Sequence, residues 1–369
     1  MSAPTNTEPS NIQLDTQAAG RPVFKRRLER PDGRYALFYG FAPHTAPHLP
    51  EVAGAVARGG ELRRHPLRGE WNVYAPHRQN RTYKPSAASD PLAPSQPGEP
   101  PTDVPVAEFE LCVFENRFTS LHPDAPAPMD VEGVESARAR GRCEVVVYGP
   151  EAEGNLHSIG QARRELLLAA LVDRYDALFG EGHSFVQPFE NRGDAAGVTL
   201  AHPHGQIYAF GWVPEVQRRA ARAFGDGFSL AAAVGTQWET YGVARANGVA
   251  LWCPPWARHP LEVWIVPERP VAGPWELDAG ERAGVAELLG EAVRRLDAHF
   301  ETATAGFTSL QAAPRGESGF LPWHFHIKLT PVLRAPGRTK FFAGVESHTG
   351  VYTVDVMPEW AAARLRELA

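Results

Sequence analysis

The chain has 369 residues, 43% of them hydrophobic and 22% charged, which is ordinary globular composition and enough for one large domain or two ordinary ones. With 37 basic and 43 acidic residues the net charge is −6, so there is no electrostatic footprint for general nucleic-acid binding or for an anionic membrane surface. No apolar run reaches the roughly 18 residues of a spanning helix, and three cysteines (Cys112, Cys143 and Cys253) are too few for a disulfide framework or a thiolate-rich zinc module.

In chain order, residues 1–20 are polar and small, without a basic and then apolar leader. They read as a disordered tail on a cytoplasmic chain with no signal peptide. A strand is expected at Glu70–Ala75. From Pro85 to Val106 seven prolines (85, 91, 94, 97, 100, 101 and 105) exclude helix and central strand and predict a loop lying over the surface. Strands follow at Glu110–Glu115 and Cys143–Tyr148. A long helix is expected from Ser158, where Ser158 to Gln161 reads as a capping box, to Gly180, with Leu167, Leu171, Tyr175 and Leu178 on one face. Strands at Ser184–Phe189, His204–Phe210 and Leu261–Pro267 come next. A second helix begins near Asp278 and carries Val285, Leu288, Leu289, Val293, Leu296 and Phe300. Strands at Phe307–Ala312 and His324–Pro331 and a short helix at Pro358–Leu368 close the chain. The 34 glycines and 34 prolines fit many turns and long ordered loops.

The order strand, helix, strand, strand occurs twice. Glu144 to His202 spans 58 residues and Glu262 to His324 spans 62; Arg192 precedes His202 by 10 and Arg315 precedes His324 by 9. This predicts an α+β fold with a duplicated unit, antiparallel sheets and long helices packed on them. The halves are residues 21–215 and 216–369.

The sharpest segment runs from Asn191 through Thr199 to His202-Pro-His204-Gly-Gln206. Strand periodicity places His202, His204 and Gln206 on one face. Three polar side chains in a row are costly to bury without partners, so they border a cleft. A neutral imidazole is nucleophilic at neutral pH, with one ring nitrogen attacking while the other is held by a carbonyl. A glutamine can donate to a phosphoryl oxygen but cannot protonate a leaving group. That pairing suits transfer of a phosphoryl group from a stable anionic leaving group more than hydrolysis.

His202-Pro-His-Gly-Gln-Ile207, with Phe189-Glu-Asn-Arg-Gly193 ahead of it, resembles the galactose-1-phosphate uridylyltransferase family, a transferase branch of the histidine-triad superfamily. Further resemblances follow in order: Glu70-Trp71 to Arg81, Val113-Phe114-Glu-Asn116-Arg-Phe118, Trp323-His324-Phe-His326 and Lys340-Phe-Phe-Ala-Gly344-Val-Glu346. The resemblance implies duplicated histidine-triad-like units and a UDP-sugar and hexose 1-phosphate as substrates. It also implies a homodimer with sites near its interface. His204 would be the nucleophile. Gln206 and Thr199 would bond the transferred phosphoryl, and Asn191 and His202 would complete the substrate site. Arg78 and Arg81 would bind phosphate, Phe114, Asn116 and Phe118 the uridine, and Lys340 and Glu346 the hexose.

Several family positions differ here. Asp90 and Ala93 stand where many members have two zinc-binding cysteines, and residues 151–153 offer no histidine, leaving His202 alone of that set. Ala220, Gln311, His324 and His326 stand at a second family metal site. No metal and no other cofactor is expected. Arg117 replaces an acid that often meets the ribose, and Val345 replaces an aromatic residue. Rival readings are an ADP-glucose phosphorylase-like nucleotidyltransferase, a non-catalytic nucleotide-sugar binder, and a nucleotide hydrolase, the last disfavoured by Gln206.

Overall fold

Short apolar stretches pair into one antiparallel sheet of 12 strands. The computed structural model describes residues 11–52, 56–80, 85 and 89–369. The strands are β1 (Ile12–Gln13), β2 (Phe24–Glu29), β3 (Tyr35–Gly40), β4 (Leu111–Glu115), β5 (Gly141–Val147) and β6 (Phe185–Arg192). They continue as β7 (His204–Phe210), β8 (Gly242–Ala246), β9 (Val249–Trp252), β10 (Val263–Pro267), β11 (Gly306–Gln311) and β12 (His326–Pro331). Across the sheet the order is β1-β2-β3-β4-β5-β7-β6-β11-β12-β10-β9-β8. The main helices are α1 (Gln161–Gly180), α2 (Glu215–Gly225), α3 (Ala279–Phe300) and α4 (Pro358–Glu367). A small three-stranded sheet (Trp71–Tyr74, Glu61–Arg64, Ser136–Arg138) stands apart.

The repeat is topological. β5-α1-β6-β7 and β10-α3-β11-β12 have the same order, and β6 pairs with β11 at the centre, Arg192 opposite Gly306 and Phe189 opposite Ser309. The two halves thus meet across a local dyad. Strand registers correct the sequence alignment of the halves. Gln206 lies opposite Val145, and Lys328 opposite Trp264. Val145 therefore matches Trp264, and Glu144 matches Val263 rather than Glu262. A one-residue slip changes the face of every side chain. Glu144 accordingly points under α1, while Glu262 holds the Trp264 indole N–H at 2.7 Å. By the same registers Arg192 matches Ala312, so Arg315 is not its counterpart.

Helices α1 and α3 pack on each other and on one face of the sheet. Leu167, Leu171, Tyr175 and Leu178 are all buried there, as their spacing requires. The N-terminus of α1 differs from expectation. Gly160 caps it at φ +81° without a side-chain bond, and Ser158 Oγ accepts the Asn155 N–H at 2.9 Å instead. At α3 the capping box forms: Asp278 accepts the Glu281 N–H at 2.8 Å and Glu281 accepts the Asp278 N–H at 2.9 Å.

The other face is covered by loops on the first half and by α2 and the helix that follows it (Leu230–Thr236) on the second. The proline-rich segment does more than lie over the surface. Leu92, Val104 and Val106 are fully buried against Phe38, Cys112, Phe114 and Val147. The ordered chain also starts earlier than the expected tail allows. Residues 11–20 include β1, and Ala18 is buried; residues 1–10 lie outside the described residues.

A buried ion pair fastens α1 to the sheet. Arg174 bonds both Glu144 oxygens, at 2.7 and 3.0 Å, and the Tyr35 hydroxyl also donates to Glu144. Neither charge is exposed, so removing one partner strands the other in a low-dielectric interior. Arg174→Ala should cost about 3–5 kcal/mol in a denaturant titration; a loss below 1 kcal/mol, on the order of a surface pair, would show that the pair is not structural.

Candidate active site

The site is built where β6 leaves the sheet and β7 returns. After Arg192 the chain turns at Gly193 (φ +79°), where a Cβ would lie 2.8 Å from that of Ala305. A short 3-10 turn (Asp194–Ala196) and Gly197 then lead through Thr199 to His202. On β7, Gly205 lies over the Tyr148 hydroxyl, which a Cβ would meet at 2.6 Å. Glycine at this point lets the strand carrying His204 and Gln206 sit flat on the core.

His204 and Gln206 face a cleft of about 130 Å³. Of the residues singled out in sequence, Arg78, Phe114, Asn116, Phe118, Asn191 and Thr199 line the same cleft. Leu92, Asp103 and Arg117 line it too, and sequence reasoning missed Leu92 and Asp103 as wall residues. Asp103 arrives on the proline-rich loop and pairs with Arg117 at 3.1 Å. A carboxylate is thus present although Arg117 occupies the usual acidic position. No local pattern could reveal this, because the two residues lie on separate loops.

The His204 ring is fixed by the backbone two residues before it. Its Nδ1 sits 2.8 Å from the His202 carbonyl oxygen, so Nδ1 carries the proton and Nε2 keeps its lone pair. Burial lowers the His204 pKa below the ordinary histidine value; the bond to the His202 carbonyl opposes this only in part, and the neighbouring His202 ring adds to the lowering. The ring is therefore neutral at pH 7. Arg78 gives one guanidinium N–H to the Phe118 carbonyl at 2.6 Å, which fixes the group at the cleft wall. Asn116 accepts the Phe118 N–H at 2.8 Å and shapes the turn beside it.

Four expected site residues are not among those that line the cleft. Arg81 lies outside the described residues. His202 is buried behind the cleft and is not one of its lining residues, because both its nitrogens are committed: Nδ1 to Asp90 Oδ2 at 2.7 Å and Nε2 to the Gly149 carbonyl at 2.9 Å. Lys340 and Glu346 do not line the cleft. They pair with each other at 2.5 Å, and Glu346 also accepts the Ala343 N–H at the start of a short helix (Gly344–Thr349).

Neither family metal site has a fitting donor set. At the first, the His202 nitrogens both face oxygens, and Ala93 has no donor. At the second, Ala220 has no donor, the Gln311 amide bonds Gln187 and Ser309, and His324 Nε2 faces the Pro267 carbonyl at 2.8 Å. Among the described residues no group of three or more His, Cys, Asp or Glu side chains could hold a metal ion.

A duplicated antiparallel fold carrying a nucleophilic imidazole, an amide two residues on and an arginine at the cleft wall defines a nucleotidyl-transferring enzyme. A family model described as galactose-1-phosphate uridyl transferase, N-terminal domain, matches residues 57–214. The galactose-1-phosphate uridylyltransferase of Thermotoga maritima is 32% identical over 320 residues, covering 83% of this chain and 98% of the relative. A solved uridylyltransferase superposes with a TM-score of 0.75 at 26% identity, covering 84% of this chain and 98% of its own. An ADP-glucose phosphorylase from Arabidopsis thaliana with bound ADP-glucose shares the fold, with a TM-score of 0.64 at 21% identity and coverage of 84% and 98%. The chain belongs to the galactose-1-phosphate uridylyltransferase family. No helix among the described residues is long and apolar enough to cross a membrane.

The Asp90–His202 bond ties the proline-rich loop to the base of the nucleophile strand. Burial raises the Asp90 pKa, but the bonds from His202 and the Leu92 N–H outweigh it and hold it below the ordinary carboxylate value. Asp90→Ala leaves a buried imidazole nitrogen unpaired and should cost about 1–3 kcal/mol, with Asp90→Asn costing less. Denaturant titration of both variants checks this, and equal, negligible losses would contradict it.

Proposed function

We propose that the enzyme exchanges UDP-glucose and galactose 1-phosphate for glucose 1-phosphate and UDP-galactose through a uridylyl-His204 intermediate. The observation that carries this reading is the free Nε2 of a neutral His204 opening into the cleft while Nδ1–H donates to the His202 carbonyl. The Nε2 lone pair attacks the α-phosphorus, the bond to the glucose 1-phosphate oxygen breaks, and that group leaves as an anion needing no proton. Gln206 and Thr199 donate to the phosphoryl oxygens, and Arg78 offsets the added negative charge. The imidazolium character that builds on His204 is held by the same His202 carbonyl. Galactose 1-phosphate oxygen then attacks the phosphorus and the P–N bond breaks, restoring the neutral ring.

Phe114, Asn116 and Phe118 bound the uridine end in this reading, and Asp103 accepts ribose hydroxyl hydrogens. The enzyme works without a metal: Asp90 takes over from a zinc clamp by holding His202. A homodimer with its sites near the interface belongs to the same reading, because Lys340 and Glu346 lie outside the cleft of their own chain. The shared fold with an ADP-glucose phosphorylase keeps adenylyl transfer as the second reading.

Intact-mass measurement after incubation with UDP-glucose or ADP-glucose separates them. The wild-type chain should gain a uridylyl group, lose it on chase with galactose 1-phosphate, and gain nothing after His204→Ala. Adenylylation without uridylylation would overturn the assignment. The neutral ring is the reactive form, so the labelling rate should be flat near pH 7 and fall as pH drops below the ordinary histidine value of about 6.5, following the lowered His204 pKa. A rate already falling between pH 8 and 7, roughly a unit above that value, would contradict it. Elemental analysis should find far less than stoichiometric zinc in fully active protein; stoichiometric zinc would refute the metal-free clamp.

A further inference from the structure

The local dyad gives the second half its own version of the nucleophile cleft, and it has become something else. His326 repeats the His204 geometry: its Nδ1 lies 2.8 Å from the His324 carbonyl. Lys328 stands where Gln206 stands, opposite Trp264. Between this face and helix α2 lies a cleft of about 210 Å³, walled by Trp256, Trp264, Trp323 and Phe228. The His326 ring lies nearly parallel to Trp264 (4.7 Å, 20°) and to Trp323 (6.3 Å, 17°).

Two polar groups in the cleft have unspent capacity. His326 is 4% exposed, and with Nδ1–H committed its Nε2 lone pair has no partner. The Lys328 ammonium rests 4.5 Å over the Trp264 ring and makes no ion pair or hydrogen bond among the described residues. The carboxylate of Glu262, on the neighbouring strand's approach, is taken up by the Trp264 indole and the Arg258 N–H. An aromatic cage, one cation and one buried acceptor form a complementary set. A cavity of roughly 150 Å³ holds benzene, so this one has room for a single substituted ring.

We infer that this cleft is a binding site for a small planar aromatic carboxylate bearing a hydroxyl group. The ring lies among Trp256, Trp323 and Phe228, the carboxylate meets Lys328, and the hydroxyl donates to His326 Nε2. The site is separate from the His204 cleft and does not depend on which nucleotide that cleft takes.

Calorimetric titration of the full chain with 4-hydroxybenzoate tests this, with benzoate, phenol and 4-hydroxycyclohexanecarboxylate as single-feature controls. Saturable one-to-one binding is expected, with each control about tenfold weaker, the factor that loss of one good polar contact carries. Lys328→Met should weaken 4-hydroxybenzoate to the level of phenol. Ala220→Trp, which fills the cleft from α2, should abolish binding while circular dichroism stays unchanged. No saturable binding to the wild-type chain, or binding unchanged by Ala220→Trp, would overturn the proposal. Should Lys328→Met fail to fold, the control ligands and Ala220→Trp decide the outcome.

Discussion

The proposed chemistry rests on one hydrogen bond, from Nδ1–H of His204 to the carbonyl of His202, 2.8 Å away. Two residues of strand separate donor from acceptor, so the backbone itself sets the ring's orientation. That bond decides which nitrogen keeps its lone pair, directs it into the cleft, and offers a dipole to the positive charge that develops on the ring. The requirement then propagates outward. The His202 carbonyl must be still, which places a demand on the His202 side chain, and that side chain is clamped on one side by Asp90 and on the other by the Gly149 carbonyl.

The clamp on His202 is a carboxylate. Asp90 reaches it from a loop held by buried Leu92, Val104 and Val106, so hydrophobic packing fixes the clamp. The second half sets the same geometry in other surroundings. His326 keeps its carbonyl bond but is stacked against tryptophans, and a lysine stands at the position of Gln206. One architecture thus holds an imidazole facing a polar cleft on one side of the dyad and one among aromatic rings on the other.

Much of this was legible in sequence because it is local. Period-2 alternation placed His204 and Gln206 on one face, and Asp278 marked the start of α3. The strand His204–Phe210 has the bounds its pattern predicts. What failed depends on partners distant in the chain. Glu144 and Glu262 look equivalent in a single strand, but only cross-strand register shows that they face opposite ways. Ser158 has the sequence of a capping residue, yet the left-handed Gly160 sets the helix start. Asp103 enters the cleft from a loop whose prolines announce irregularity without telling where it folds back. His202 precedes the strand rather than belonging to it, and its side chain is turned to Asp90, 112 residues away.

The central claim is the tautomer of His204, and nitrogen-15 NMR of the histidine side chains reads it directly, with the His204→Asn spectrum supplying the assignment. At neutral pH the account predicts a protonated Nδ1 and a bare Nε2 for His204 in metal-free protein. A proton on Nε2, or a doubly protonated ring at that pH, would contradict it.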